Sequence, residues 1–152
     1  MSVAFITGAG SGIGRQIAIT LAGKGFEIAV TDVNDANAAE TVSLIAAQNG
    51  KAVAFHCDVT QLASVEQAVG EVKEKFGSID VLVNNAGWDK IEPFLKSEPS
   101  TWERIININL MGQVHTCKVI LPIMIEQGNG KVVNIASDSG RVGSSGEAVY
   151  SA

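Results

Sequence analysis

Thr7-Gly8-Ala9-Gly10-Ser11-Gly12-Ile13-Gly14 follows directly on the apolar run Val3-Ala4-Phe5-Ile6. A short apolar run ahead of glycines reads as a buried strand. Behind the glycines, Ile13, Ile17 and Leu21 recur every four residues with Ala18 and Ala22 beside them, the stripe of a helix. The local reading is strand, glycine turn, helix. Glycines suit such a turn because a Cβ would hold the backbone away from a pyrophosphate and from the strand, while the first free N–H groups of the helix bind the anion. The widespread G-x-G-x-x-G fingerprint fails in every register, since its third glycine would fall on Ile13, Arg15 or Ile17. The chain carries T-G-x-x-x-G-x-G instead.

The 152 residues allow one domain, 1–152, with its own core. Eleven basic against sixteen acidic residues leave a formal net charge of −5, and the basic ones are scattered. Neither nucleic acid nor an anionic membrane surface is therefore an expected partner. The longest strongly apolar run, Val119 to Ile125, is interrupted by Pro122 and falls well short of the ~20 residues of a bilayer span. No charged, apolar leader precedes the first strand, so a cytoplasmic location is expected. Cys57 and Cys117 fall in different predicted elements, which favours two buried thiols over a disulfide, and no metal site is expected.

Outward from the glycine turn, Phe26 to Thr31 reads as a second strand leading to Asp32, eighteen residues past Gly14. A carboxylate there can accept hydrogen bonds from both ribose hydroxyls and repels a 2′-phosphate, and neighbouring Val33 and Asn34 offer no cation. NAD is favoured over NADP. A helix from about Asp35 turns Val42, Ile45 and Ala46 inward and stops at Asn49-Gly50. Val53, Phe55 and Cys57 alternate in a third strand that ends at Asp58-Val59. Thr60 is the expected cap of the next helix, whose core face is Val65, Val69, Val72 and Phe76 and whose stop is Gly77. His56 is assigned no chemistry.

A fourth strand, Ile79 to Val83, runs into Asn84-Asn85-Ala86-Gly87. Pro99 opens a long predicted helix to Ile125, with Trp102, Ile105, Ile106, Leu110, Val114, Cys117, Leu121 and Met124 on one apolar face. Asn107 and Asn109 interrupt it, because a mid-helix amide competes for local backbone and can open the ladder. Gly128-Asn129-Gly130 turns the chain into a fifth strand, Lys131 to Ala136, with Ser137 after it and Tyr150 thirteen residues later. Strands that all read as buried, alternating with helices, imply an α/β fold: a doubly wound parallel (Rossmann) sheet in the order 3-2-1-4-5.

The glycine spacing resembles the short-chain dehydrogenase/reductase family, and Asp58-Val59, Asn84-Asn85-Ala86-Gly87, Asn109-Leu110-Met111-Gly112, Ser137 and Tyr150 extend the resemblance over the whole chain. The resemblance implies an NAD-dependent oxidoreductase that moves hydride between nicotinamide and a secondary alcohol or ketone. On it, Gly8, Ser11, Gly12, Ile13, Gly14, Asp32, Asp58, Val59, Asn85, Ala86, Gly87 and Tyr150 contact the cofactor. Tyr150 is also the acid/base, Ser137 orients the carbonyl and Asn109 holds a water of the proton relay. The family's homotetramers imply a homo-oligomer. The stretches Asn84 to Asp89 and Ala136 to Tyr150 further resemble the 2-hydroxycyclohexanecarboxyl-CoA dehydrogenases, close to the 3-oxoacyl carrier-protein reductases. This implies a 3-hydroxyacyl-CoA-type substrate, alicyclic ones included, with Trp88 as an apolar wall and Arg141 near a thioester or phosphate.

One element of the family pattern is missing: a lysine four residues past the tyrosine, where only Ser151 and Ala152 follow Tyr150. The expectation is therefore the amino-terminal part of an enzyme of roughly 250 residues, cut before the last strands and inactive alone. A non-catalytic dinucleotide-binding module is the competing reading.

Overall fold

The computed structural model describes residues 2–152. Five strands, β1 (Val3–Thr7), β2 (Glu27–Asp32), β3 (Lys51–His56), β4 (Val81–Asn84) and β5 (Lys131–Asn134), form one parallel sheet in the order β3-β2-β1-β4-β5. β1 is central, with Ala4 opposite Ile28 on one side and Val81 on the other. Helices α1 (Gly12–Gly23), α2 (Asp35–Ala46), α3 (Leu62–Phe76), α4 (Pro99–Ile106) and α5 (Gly112–Gln127) connect the strands, and two short helices, α6 (Ser139–Val142) and α7 (Ala148–Ser151), follow β5.

The period of two along β1 divides the core. Val3 and Phe5 face one layer with Val65, Val69, Val72, Ile120 and Met124 from α3 and α5, while Ala4 and Ile6 face the other with Ala18 and Ile45 from α1 and α2. Both sheet faces are thus covered, as continuous apolar strands require. Full burial of Phe5 and Ile6 contributes about 1.5–3 kcal/mol each.

Several local expectations shift. On α1 the buried positions are Gly14, Ala18 and Ala22, small enough to bring the helix close to the sheet, and Ile13 is 66% exposed. On α2 Ala46 is exposed, and the inward positions are Ala38, Thr41 and Ile45. α3 is capped at Gln61 and not at Thr60, whose hydroxyl donates to Asp58 Oδ1 at 2.7 Å and so belongs to the preceding turn. Gly77 closes α3 in the left-handed conformation, as expected. Cys57 is buried and Cys117 only half-buried, both as free thiols. β5 ends at Asn134, two residues early, and all four of its residues are exposed, against the expectation of burial.

The long helix is broken where the asparagines stand: Asn107–Met111 forms a π-turn between α4 and α5. A wider turn advances the register, so the buried positions run Gly112, Thr116, Ile120 and Met124. Ile106, Leu110, Val114 and Leu121, expected on the core face, lie exposed together with Ile125. The continuous span Pro99–Gln127 is long and apolar enough by composition to cross a membrane. Here Ile105, Ile120 and Met124 bury against the rest of the fold.

Candidate active site

The carboxyl ends of β1, β2 and β4 and the chain just past β3 open into one cavity of about 630 Å³. Of the predicted cofactor residues, all but Gly14 and Tyr150 line it. Gly8 and Gly12 sit at φ +62° and +52°, the left-handed region that glycine adopts without strain. Gly14 lies behind the turn, where a Cβ would collide with the Gly8 carbonyl and the Asn85 amide. The first backbone bond of α1 is Arg15 N–H to Ser11 O. The N–H groups of Gly12 and Ile13, both exposed, precede that ladder and are available to an anion.

Thr7 and Asn85 lock the ends of β1 and β4 together. The Thr7 hydroxyl accepts the N–H groups of Asn85 and Ala86, each at 3.0 Å, and Asn85 Nδ2 donates to the carbonyls of Thr7 (2.9 Å) and Gly8 (3.2 Å). Asp32 is held at both oxygens: Oδ2 accepts the Gly10 N–H at 2.8 Å and Oδ1 the Asn34 N–H at 2.9 Å. Its charge is thereby fixed at the cavity rim. Arg15, which carried no signal in the sequence, reaches over the back of the turn to the Gly10 carbonyl, Thr41 and Glu40.

Asp58 Oδ1 accepts the N–H and hydroxyl of Thr60 at 2.9 and 2.7 Å. Burial, then the charges of Asp58 and Asp32, push the Cys57 thiol up to about 12. That shift favours the neutral thiol over the thiolate. Among the described residues, no group of three His, Cys, Asp or Glu side chains is placed to hold a metal ion. His56 meets Asp35 on the surface at 2.8 Å.

At the far wall Asn109 uses the opened π-turn. Its Nδ2 donates to the carbonyls of Trp88 (2.6 Å) and Ile105 (2.9 Å), and its Oδ1 accepts the Trp88 N–H at 3.2 Å. Gln113 Nε2 donates to the Asn109 carbonyl freed by the turn, at 3.0 Å. Trp88 is thus fixed by its backbone, and the Arg104 guanidinium stacks 4.0 Å from its ring centre. Arg104, four positions before Ile108 on the cavity wall, is a further cation that the periodicity gave no reason to single out.

Ser137 and Tyr150 lie apart from this lining. Ser137 Oγ accepts the Ser139 N–H at 3.2 Å. Half-buried Tyr150 lines a second, narrow cleft with Asp89, Glu92, Trp102 and Glu147. No hydrogen bond among the described residues joins Asn109, Ser137 and Tyr150. In the cleft, both Asp89 oxygens are shielded from solvent. Burial raises the Asp89 carboxyl above its usual range, and adjoining Glu147 raises it further. Glu147 is lowered, chiefly by Ser144 and also by Ser139 and Asp89. Arg141 is 81% exposed, pairs with Asp138 at 3.4 Å and lines neither cleft.

The sequence profile of the short chain dehydrogenases matches residues 2–152. The chain is 36% identical to a 3-oxoacyl-(acyl-carrier-protein) reductase of Synechocystis sp., covering 99% of this chain and 61% of the relative. It is 39% identical to a D-threitol dehydrogenase of Mycolicibacterium smegmatis, covering 92% of this chain and 54% of the relative. A crystal structure of a short chain dehydrogenase/reductase from Burkholderia phymatum in complex with NAD superposes with a TM-score of 0.95 at 32% identity, over 99% of this chain and 54% of that one. The chain thus spans little more than half the length of the relatives it matches. A profile match over nearly every residue, together with this sheet order and this glycine turn, places the chain in the short chain dehydrogenase family.

Proposed function

We propose that the protein is an NAD-dependent oxidoreductase acting on a secondary alcohol or ketone. The observation that carries the reading is Asp32, its carboxylate fixed through both oxygens at the rim of a cavity floored by glycines. A dinucleotide fits the residues present: the space outside Gly12 is open, with nothing within 4 Å of where a Cβ would stand, and the free N–H groups of α1 suit a pyrophosphate. Asp32 would accept the ribose hydroxyls, with Asp58 and Val59 beside the adenine and Asn85, Ala86 and Gly87 at the inner ribose. The NAD complex of the Burkholderia phymatum relative supports this choice.

When bound, the nicotinamide supplies or accepts the hydride. Tyr150 moves the proton at the carbinol oxygen, Ser137 orients that oxygen by a hydrogen bond, and Asn109 supports the relay behind it. Asn109 also fixes Trp88 as the wall against which a substrate rests. The substrate class that we propose is a 3-hydroxyacyl thioester, alicyclic ones included, in keeping with the 3-oxoacyl-(acyl-carrier-protein) reductase relatives. A second copy of the chain is the partner proposed for the exposed apolar row Ile106, Leu110, Val114, Leu121 and Ile125, giving a homotetramer in the cytoplasm.

The test is steady-state kinetics of the full-length protein with NAD and NADP, on cyclic and linear 3-hydroxyacyl-CoA esters, the free acids and simple polyols. Preference for NAD with the thioesters is the expected result. Equal efficiency with both cofactors overturns the role of Asp32. Turnover of polyols alone overturns the substrate class and leaves the dehydrogenase in place.

A further inference from the structure

Arg15 shares Gly10 with the clamp on Asp32, and it does not line the cavity. Its Nε donates to the Gly10 carbonyl and to Thr41 Oγ1, both at 3.0 Å, and its terminal nitrogen meets Glu40 Oε2 at 2.6 Å. The N–H of the same Gly10 donates to Asp32 Oδ2. One residue therefore separates the guanidinium from the carboxylate assigned to the ribose. Thr41 is buried and anchored to the Ala9 carbonyl at 3.0 Å, whereas the Glu40 side chain is 59% exposed. Among the described residues Glu40 is the one anionic partner of Arg15, and its charge can be removed without disturbing the core.

We infer that Glu40 is a positioning residue for cofactor choice: by holding and neutralising Arg15 on α2, it denies a 2′-phosphate the cation that Asp32 would otherwise have to outweigh. The inference rests on the dinucleotide reading of the cavity and adds a second residue to it. Discrimination by Asp32 alone would leave a positive charge on the other side of Gly10, able to attract the phosphate through partly screened water. With Glu40 in place, Arg15 and Glu40 cancel at that range, and the net charge facing a 2′-phosphate is that of Asp32.

The experiment measures dissociation constants of NAD and NADP for the full-length protein, for Glu40→Gln and for the double variant Arg15→Ala/Glu40→Gln, at low and high salt. Glu40→Gln keeps the shape and removes the charge. NADP is expected to bind about fivefold more tightly to it, with NAD changed by less than about twofold. The gain should vanish in the double variant and shrink at ~0.5 M salt, where the screening length is only a few ångströms. An unchanged NADP to NAD ratio in Glu40→Gln overturns the inference, and so does a gain that survives removal of Arg15. Wild-type protein that binds NAD and shows either result leaves the proposed function standing. Wild-type protein that binds neither cofactor overturns both.

Discussion

β1 and β5 belong to the same parallel sheet, yet every residue of β1 is buried and every residue of β5 is exposed. β1 has a strand on each side and a helix layer over each face, so its end is fixed from all directions. β5 pairs only with β4, through Val81 opposite Lys131 to Asn84 opposite Asn134. Most residues that would hold a cofactor cluster around the β1 end, where Thr7, Asn85 and Asp32 tie the turns together by side chain to backbone hydrogen bonds. The residues proposed for proton transfer follow β5, Ser137 in the loop after it and Tyr150 in the one-turn helix α7. Binding and folding are therefore coupled in the first region, while chemistry is separable from folding in the second.

The largest expected effect breaks the first region outright. Gly14→Ala would drive a Cβ into the Gly8 carbonyl and the Asn85 amide, both parts of the rigid β1–β4 lock. Destabilisation of about 3 kcal/mol or more is expected, because backbone on one side and a doubly bonded amide on the other leave little room to relax. Urea unfolding and NAD titration should fail together. A variant that folds normally but loses NAD would show that the two are separable there after all.

Tyr150→Phe probes the second region. Loss of the proton-transferring group should lower turnover about a thousandfold. The unfolding midpoint and the NAD dissociation constant should stay close to wild type, since Tyr150 is half-buried and outside the main cavity. A comparable loss of stability would erase the contrast between the regions. Thr7→Val returns to the first region with a smaller change. It strands the N–H groups of Asn85 and Ala86 without their acceptor, at a cost of about 2–3 kcal/mol, and should weaken NAD binding in parallel because Asn85 and Ala86 line the cavity.

The same contrast decides what the sequence could disclose. The strands, the glycine turn and the place of Asp32 at the end of β2 were legible because each is written in one short stretch: apolar runs of strand length, glycines at fixed intervals, an acid at a strand end. The helix register after Asn107 was not. A π-turn adds a residue to one turn, so straight 3.6-residue counting placed Leu110, Val114 and Leu121 inside when they are outside. Asn107 and Asn109 marked the break, but not the direction in which the later face would rotate. Thr7 reads in the sequence only as the first residue of the glycine motif, and its double acceptor role exists only because β4 lies beside β1. Arg15 and Glu40 are far apart in the chain and meet only when α1 packs on α2. The Asp89 and Glu147 contact is likewise the product of two loops meeting.

That last contact supplies the smallest effect and a test by pH. Asp89 is raised by burial and then by Glu147, while Glu147 is lowered by Ser144 and its other neighbours. A carboxyl raised on folding stabilises the fold while it is protonated, and that contribution is lost as pH rises through its folded value. The lowered Glu147 has the opposite sign: its contribution is present above the ordinary carboxylate range and is lost as pH falls through its depressed value. Between the two, the opposite shifts favour a proton on Asp89 beside the Glu147 carboxylate across the cleft that both line. At higher pH the two anions face each other beside Tyr150, with Glu92 already engaged by Lys90 at 2.8 Å. Asp89→Asn keeps a donor for Glu147 and cannot ionise. It should therefore raise the melting midpoint by about 2 °C at pH above the raised folded value of Asp89, with the difference fading as pH falls below that value and the wild-type carboxyl is itself neutral. Equal shifts at both ends of the range would mean that packing of the amide, and not the shared proton, sets the stability of this cleft.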